Sequence, residues 1–290
     1  MLKKRVIASL ILKDGIAVQS IGFKRYLPIG SIVIAAEFLN KWGVDEIIIL
    51  DIDATKKNRK PNFDLMSQVS SKIFVPLTVG GGIKSLDDIR RLIHGGADKI
   101  SINKLAIENP KIINEASNIF GNQCVVVAMD VKNKNGKYEV YMDNGKNPTG
   151  INPLTWAKKI EKLGAGEILV NSIDNDGSKL GYDLKIIKKI SDGVNIPVIA
   201  LGGAGRPSHF LEAFTKGNVL AVAASNFFHF TEHSPIIVKS YLRKHGIDVR
   251  LDTYADYQNF NFDKKSQRII KRPEDYLDKL RFEYISEEVI

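Results

Sequence analysis

Two glycine-rich turns, Gly80-Gly81-Gly82 and Gly202-Gly203-Ala204-Gly205, carry the clearest chemical signal in this 290-residue chain. Each follows a short apolar run. Glycine lets successive backbone N–H groups close on an anion with no Cβ in the way. Asn103 and Ser225, the latter preceded by Ala224, close two further apolar runs. Each can complete a pocket with a glycine turn and the N-terminus of a following helix. Two related pockets suit a ligand with a phosphate at each end. Tight turning alone would also select glycine, but the matched pair favours phosphate.

Carboxylates supply the second signal. Asp130 ends the run Val126-Val127-Ala128-Met129-Asp130, where a carboxyl can serve as general acid or base, or as a helix N-cap. Asp51 and Asp176, the latter followed by Gly177, either position substrate hydroxyls or cap loops. A third set, Arg5, Glu46, Lys99 and Glu167, stands at or near the starts of apolar runs. Four such charges form a ring, read either as a salt-bridge plug or as a gate into the interior; periodicity leaves both open. The five histidines show no metal-ligand spacing and are read as surface or loop residues, so no metal is expected. Cys124, the only cysteine, is read as an inert core residue. A lone cysteine excludes an internal disulfide framework and fits a reducing cytoplasm.

These residues need elements to hold them. Candidate strands are Arg5–Leu12, Glu46–Asp51, Pro76–Val79, Lys99–Ile102, Cys124–Asp130, Glu167–Ile173, Pro197–Ala200 and Ala221–Ala224. Between them run amphipathic stretches such as Ile32–Lys41, Leu86–His94, Pro153–Leu163 and Ser208–Phe214. Alternation of this kind builds a parallel sheet wound right-handedly. Val44–Asp51 resembles Ala165–Ser172, and Pro76–Ile83 resembles Pro197–Ala204, at an offset of about 120 residues. Two similar halves of four strands predict a closed (β/α)8 TIM barrel over residues 1–250, with the site where strands end and loops begin. The same offset sets Ile11 opposite Asp130, and isoleucine cannot transfer a proton. Residues 251–290 fit no further barrel unit. They read as a C-terminal extension, partly helical or disordered, with a helix beginning at Pro273.

Hydrophobic content of 44% and charged content of 26% suit a globular protein. No run of 18 apolar residues predicts a membrane span, and the basic, then apolar, N-terminus reads as a first strand entering Lys13-Asp14-Gly15. The formal charge of +9 suits phosphorylated ligands or a solvated basic surface; no nucleic-acid motif accompanies it.

The segments Leu50-Asp51-Ile52-Asp53-Ala54, Thr78-Val79-Gly80-Gly81-Gly82-Ile83, Ala97-Asp98-Lys99-Ile100-Ser101-Ile102-Asn103, Val126-Val127-Ala128-Met129-Asp130, Ser172-Ile173-Asp174-Asn175-Asp176-Gly177 and Gly202-Gly203-Ala204-Gly205 resemble the cyclase subunit of imidazole glycerol phosphate synthase, the HisF type. The resemblance covers residues 1 to about 250 and implies a lyase that needs no cofactor. It implies a HisH-type glutaminase docked at the barrel bottom, with ammonia crossing the interior. It implies that Arg5, Glu46, Lys99 and Glu167 gate that path and that Asp98 faces the glutaminase. Asp51, Gly81, Gly82, Asn103, Asp176, Gly177, Gly202, Gly203, Ala224 and Ser225 take substrate and phosphate positions, and Asp130 the catalytic one. Three departures stand out: Ile11 replaces the second catalytic aspartate, Gln19 a substrate lysine, and Leu201 a serine.

The resemblance therefore implies a histidine-biosynthesis synthase subunit acting with channelled ammonia on a phosphorylated substrate. Ile11 favours a relative that supplies ammonia for amidation of a surface-polysaccharide sugar. A non-catalytic scaffold for a glutaminase is the reading from another class. None involves nucleic acid or membrane.

Overall fold

The computed structural model describes residues 3–229, 233–251, 257 and 259–270. Twelve strands share one sheet, and eight of them close into a parallel barrel. The barrel strands are β1 (Arg5–Lys13), β2 (Glu46–Asp51), β3 (Leu77–Gly80), β4 (Lys99–Ile102), β5 (Val125–Lys134), β6 (Glu167–Ser172), β7 (Val198–Leu201) and β8 (Ala221–Ala224). Each pairs with its sequence neighbour in parallel, and β1 pairs with β8 to complete the circle. The expected (β/α)8 barrel is the observed fold.

The strand bounds differ in instructive ways. β3 and β7 begin one residue after Pro76 and Pro197, whose rings lack the N–H a ladder needs. Their carbonyls still accept from Ile47 and Ile168. Cys124 closes a 3-10 turn, Asn122–Cys124, and stands half-buried before β5 instead of within the core run. β5 does not stop at Asp130 but continues to Lys134.

That continuation makes a hairpin. β5 turns through Asn135-Gly136 into an antiparallel strand, Lys137–Met142, which pairs with Asn147–Pro148. β1 likewise turns through Asp14-Gly15 into Ile16–Ile21, which pairs with Arg25–Gly30. Both turns need positive φ at two successive residues: Asp14 49° and Gly15 82°, Asn135 53° and Gly136 85°. Asp-Gly and Asn-Gly are the pairs that tolerate it. The internal repeat therefore extends into two matching hairpins over the mouth.

The expected helices form at Ile32–Lys41, Leu86–His94, Pro153–Lys162 and Pro207–Thr215. Ser31, Ser85 and Asn152 cap the first three with side-chain oxygens. Their apolar faces build one core outside the barrel, including Ile47, Ile100, Val127 and Phe210. A second core fills the barrel itself, including Ile7, Ile48, Val126, Leu169 and Ile199. His209 is a correction: it lies buried on Pro207–Thr215, where its ring contacts the Arg206 side chain and the Gly205 N–H, and is no surface residue.

After the last helix, Ser234–Lys244, Val249 bridges Lys4 at the bottom of β1. Beyond it, Phe262 bridges Ile269 and stacks edge-on to Tyr241. The helix expected from Pro273 lies outside the described residues. Among the described residues no helix is long and apolar enough to cross a membrane.

Candidate active site

Inward positions alternate along each strand, so the barrel interior can be followed in layers. At the strand starts Arg5, Glu46, Lys99 and Glu167 meet as a closed ring. Arg5 bridges Glu46 at 2.7 Å and Glu167 at 2.9 Å; Lys99 bridges Glu46 at 2.9 Å and Glu167 at 3.3 Å. Each acid thus meets both bases. Thr78 adds a hydrogen bond to Glu46 at 3.0 Å. Burial of both glutamates makes the pairing obligatory, because a lone buried charge is very costly. Asp98 is exposed at the same end, one residue before Lys99, and its carboxylate accepts from the Leu77 N–H at 2.8 Å.

Above the ring comes an apolar layer of Ile7, Ile48, Val126, Leu169, Ile199, Ala221 and Ala223. Above that opens a cavity at the strand ends. Its lining brings together Asp51, Gly81, Gly82, Asn103, Asp130, Asp176 and Ser225. Ile11 and Leu201 line it as well, while Gln19 does not.

Asp130 stands on its floor, open to the cavity but enclosed by protein. Asn103 donates to one carboxyl oxygen at 2.7 Å and Asn171 to the other at 3.1 Å. Burial pushes its pKa up to about 7; the amides oppose that shift and the nearby Asp176 charge adds to it. A carboxyl titrating near neutrality can both give and take a proton, the property that acid–base catalysis needs. The N-cap alternative fails here, since Asp130 lies inside a strand.

Asp176 is raised by burial as well. Its carboxylate accepts from Ser20 Oγ at 2.6 Å and from the Phe23 N–H at 3.1 Å, tying the first hairpin across the mouth. Asp51 caps the helix Ile52–Lys56 and bridges Arg59 at 2.7 Å while lining the cavity. Here the capping role and the cavity position coexist.

The two glycine turns are not equivalent. Gly81 and Gly82 open onto the cavity; Gly202, Gly203, Gly177 and Ala224 do not line it. A Cβ on Gly81 would fall 2.1 Å from the Asp51 carbonyl oxygen, and one on Gly203 would fall 2.0 Å from that of Gly181. Both residues also have φ near +100°, at 101° and 103°. Close approach of the preceding loop is therefore one reason for each glycine. In the second half that loop also carries the first hairpin docked on it, through Gly177 against Ser20 and Asp176 to Ser20 and Phe23.

Sequence reasoning passed over Asn171, Lys104 and Asp143, all of which line the cavity. Asn171 was accessible to it: it lies four residues after Glu167 on the same strand, hence on the same inward face.

A family model described as histidine biosynthesis protein matches residues 5–234. The chain is 48% identical over 253 residues to the imidazole glycerol phosphate synthase subunit HisF of Clostridium botulinum (strain Kyoto / Type A2), covering 87% of this chain and 100% of that protein. It is 48% identical over the same length to HisF of Pyrococcus furiosus, with the same coverage. It is 45% identical over 263 residues to a Vibrio vulnificus protein named for imidazole glycerol phosphate synthase subunit hisF2, covering 91% of this chain and 97% of that protein. By these matches the chain belongs to the HisF family of imidazole glycerol phosphate synthase subunits.

Proposed function

We propose that the chain is the ammonia-receiving subunit of a synthase complex, taking ammonia from a HisH-type glutaminase at the barrel bottom and using it on a phosphorylated substrate. The observation that carries this reading is the stacking of the closed charged ring, the apolar layer and the Asp130 cavity along one axis. The apolar layer passes neutral ammonia and opposes ammonium, whose charge would be buried unpaired. Opening the ring requires one cation to leave its two acids. Lys99, on a flexible stem, and Arg5 are the members that can swing.

In the cavity Asp130 moves the proton. The Gly81–Asn103 end and the Gly202–Ser225 end hold the two phosphates. For the histidine pathway the products are imidazole glycerol phosphate and the aminoimidazole carboxamide ribotide. The chain works in the cytoplasm, as its single cysteine suits, and residues 251–290 are an extension added to the barrel. Co-purification of a glutaminase with the full chain, and ammonia release stimulated by it, test the proposal; a chain that binds no glutaminase refutes it.

Ile11 favours a second version. At the place that mirrors Asp130 it presents an apolar side chain to the cavity. Loss of one member of an acid–base pair costs about 10²–10⁴-fold in rate. In this version the barrel keeps its ammonia entrance and feeds an amidation reaction, such as that of a surface-polysaccharide sugar. Turnover of the histidine-pathway intermediate at a full rate by the unaltered protein, with ammonia supplied, excludes it.

A further inference from the structure

Among the described residues that line the cavity, Lys104 is the only lysine or arginine. It stands beside Asn103 at the Gly81–Gly82 end. Its ammonium is engaged: Nζ lies 2.9 Å from Asp143 Oδ1, with Glu108 farther off at 3.6 Å. Asp143 also lines the cavity and belongs to the turn that joins Lys137–Met142 to Asn147–Pro148, the inner tip of the second hairpin, where it and Asn144 hold positive φ of 53° and 56°.

Within that tip Asn147 donates to the other Asp143 carboxyl oxygen at 2.7 Å. Asn144 donates to the Ile52 carbonyl at 2.9 Å, and Gly145 packs so closely on Phe23 and Ile173 that a Cβ would fall 3.0 Å from each. The hairpin tip thus joins the loops after β1, β2, β4 and β6 over the mouth. Its link to the β4 loop is the Lys104–Asp143 pair.

We propose that Lys104 reads the charge of an incoming phosphomonoester, and that Asp143 is the resident anion which that phosphate displaces, freeing the hairpin tip as the ligand seats. The proposal rests on the phosphate role of the Gly81–Asn103 end set out above. Its physical basis is competition. A phosphate dianion cradled by Gly81, Gly82 and Asn103 would compete with Asp143 for the one Lys104 ammonium. Charge-assisted bonds to a cation are strongest with the more highly charged partner, so Lys104 moves to the phosphate. A carboxylate ligand carries no such advantage over Asp143 and does not displace it. The pair therefore selects phosphate over carboxylate and couples its arrival to the roof of the cavity.

The test is a double-mutant cycle on the full chain with inorganic phosphate as probe, read by the amide NMR shifts of Gly81 and Gly82 at constant ionic strength. Asp143→Asn is expected to tighten phosphate binding by about 10-fold, and Lys104→Gln to weaken it by a similar factor. In the Lys104→Gln background, Asp143→Asn is expected to change affinity by less than about 2-fold, since its cation is gone. Phosphate, and not acetate, is expected to speed amide exchange at Lys146, whose N–H bonds the Met142 carbonyl at 3.2 Å in the tip. Equal tightening by Asp143→Asn in both backgrounds overturns the proposal, as does unchanged affinity in Lys104→Gln. Absence of any phosphate-dependent shift at Gly81 and Gly82 also overturns it. Glutaminase co-purification reports on the parent reading separately, because Lys104 lies at the opposite end of the barrel from the ring.

Discussion

Asn171 donates its side-chain amide to Asp130 at 3.1 Å between β6 and β5, and the mirrored register in the first half sets Leu50 beside Ile11. One half of the repeat thus places a carboxyl and a carboxamide at the mouth, while the other places two aliphatic side chains.

Removing the carboxyl tests its role from two directions. Asp130→Asn is expected to lower turnover by about 10²–10⁴-fold. The same change is expected to raise stability at neutral pH. The folded pKa, about 7, exceeds the unfolded value, so the native state binds the extra proton. Stability from this group is full below about pH 4 and lost as pH rises through 7, by an amount on the order of 2–4 kcal/mol. Urea denaturation at pH 4 and at pH 8 should show the variant gaining only at the higher pH; a gain at both would place the effect elsewhere.

Ile11→Asp restores the mirrored carboxyl. Ile11 is 8% exposed, so the new charge reaches the cavity without being sealed in the core. Turnover of the histidine-pathway intermediate with free ammonia is expected to rise by at least about 10-fold. An unchanged rate in a folded variant would locate the deficit in Gln19 or Leu201.

The ring predicts a separation of two activities. Lys99→Met leaves Glu46 and Glu167 with Arg5 alone, and breaking a buried ion pair costs about 3–5 kcal/mol. Turnover driven by glutamine is expected to fall by more than turnover driven by added ammonia, which enters the cavity from its open face. Parallel loss of both, at matched folded fraction, would reduce the ring to a structural plug.

Phe74 is expected to lie on the glutaminase-facing surface of the proposed complex. It is 94% exposed and precedes β3 at the same end as the ring and Asp98. Its backbone is fixed by the Asn40 side chain, which accepts from the Phe74 N–H at 3.0 Å. An aromatic side chain held out in this way is a natural anchor at an interface. Phe74→Glu is expected to weaken glutaminase binding by about 10-fold or more with an unchanged melting temperature, as measured by titration of purified subunits.

Much of this was legible in the chain itself. Short apolar runs at a fixed repeat specify strands and closure, and inward alternation places Arg5, Glu46, Lys99, Glu167 and Asp130 on one lumen. The hairpins were half-legible: Asp14-Gly15 and Asn135-Gly136 are turn signals, but Arg25–Gly30 and Lys137–Met142 are short and only partly buried. The packing around Gly202 and Gly203 was not legible. It depends on how the loop before them packs against the first hairpin, a tertiary contact between segments far apart in sequence. Lys104 was hidden for a related reason, since a lysine on a short helix gains meaning only when the hairpin brings Asp143 to it.

The ring has a consequence for descent. Every member serves two partners, so one replacement strands an opposite charge inside the barrel, and tolerated changes must arrive in compensating pairs. Nothing at the mouth imposes such bookkeeping on Ile11, which touches no ion pair. Across lineages the entrance is therefore expected to drift as a block and slowly, while the reaction above it diversifies one residue at a time.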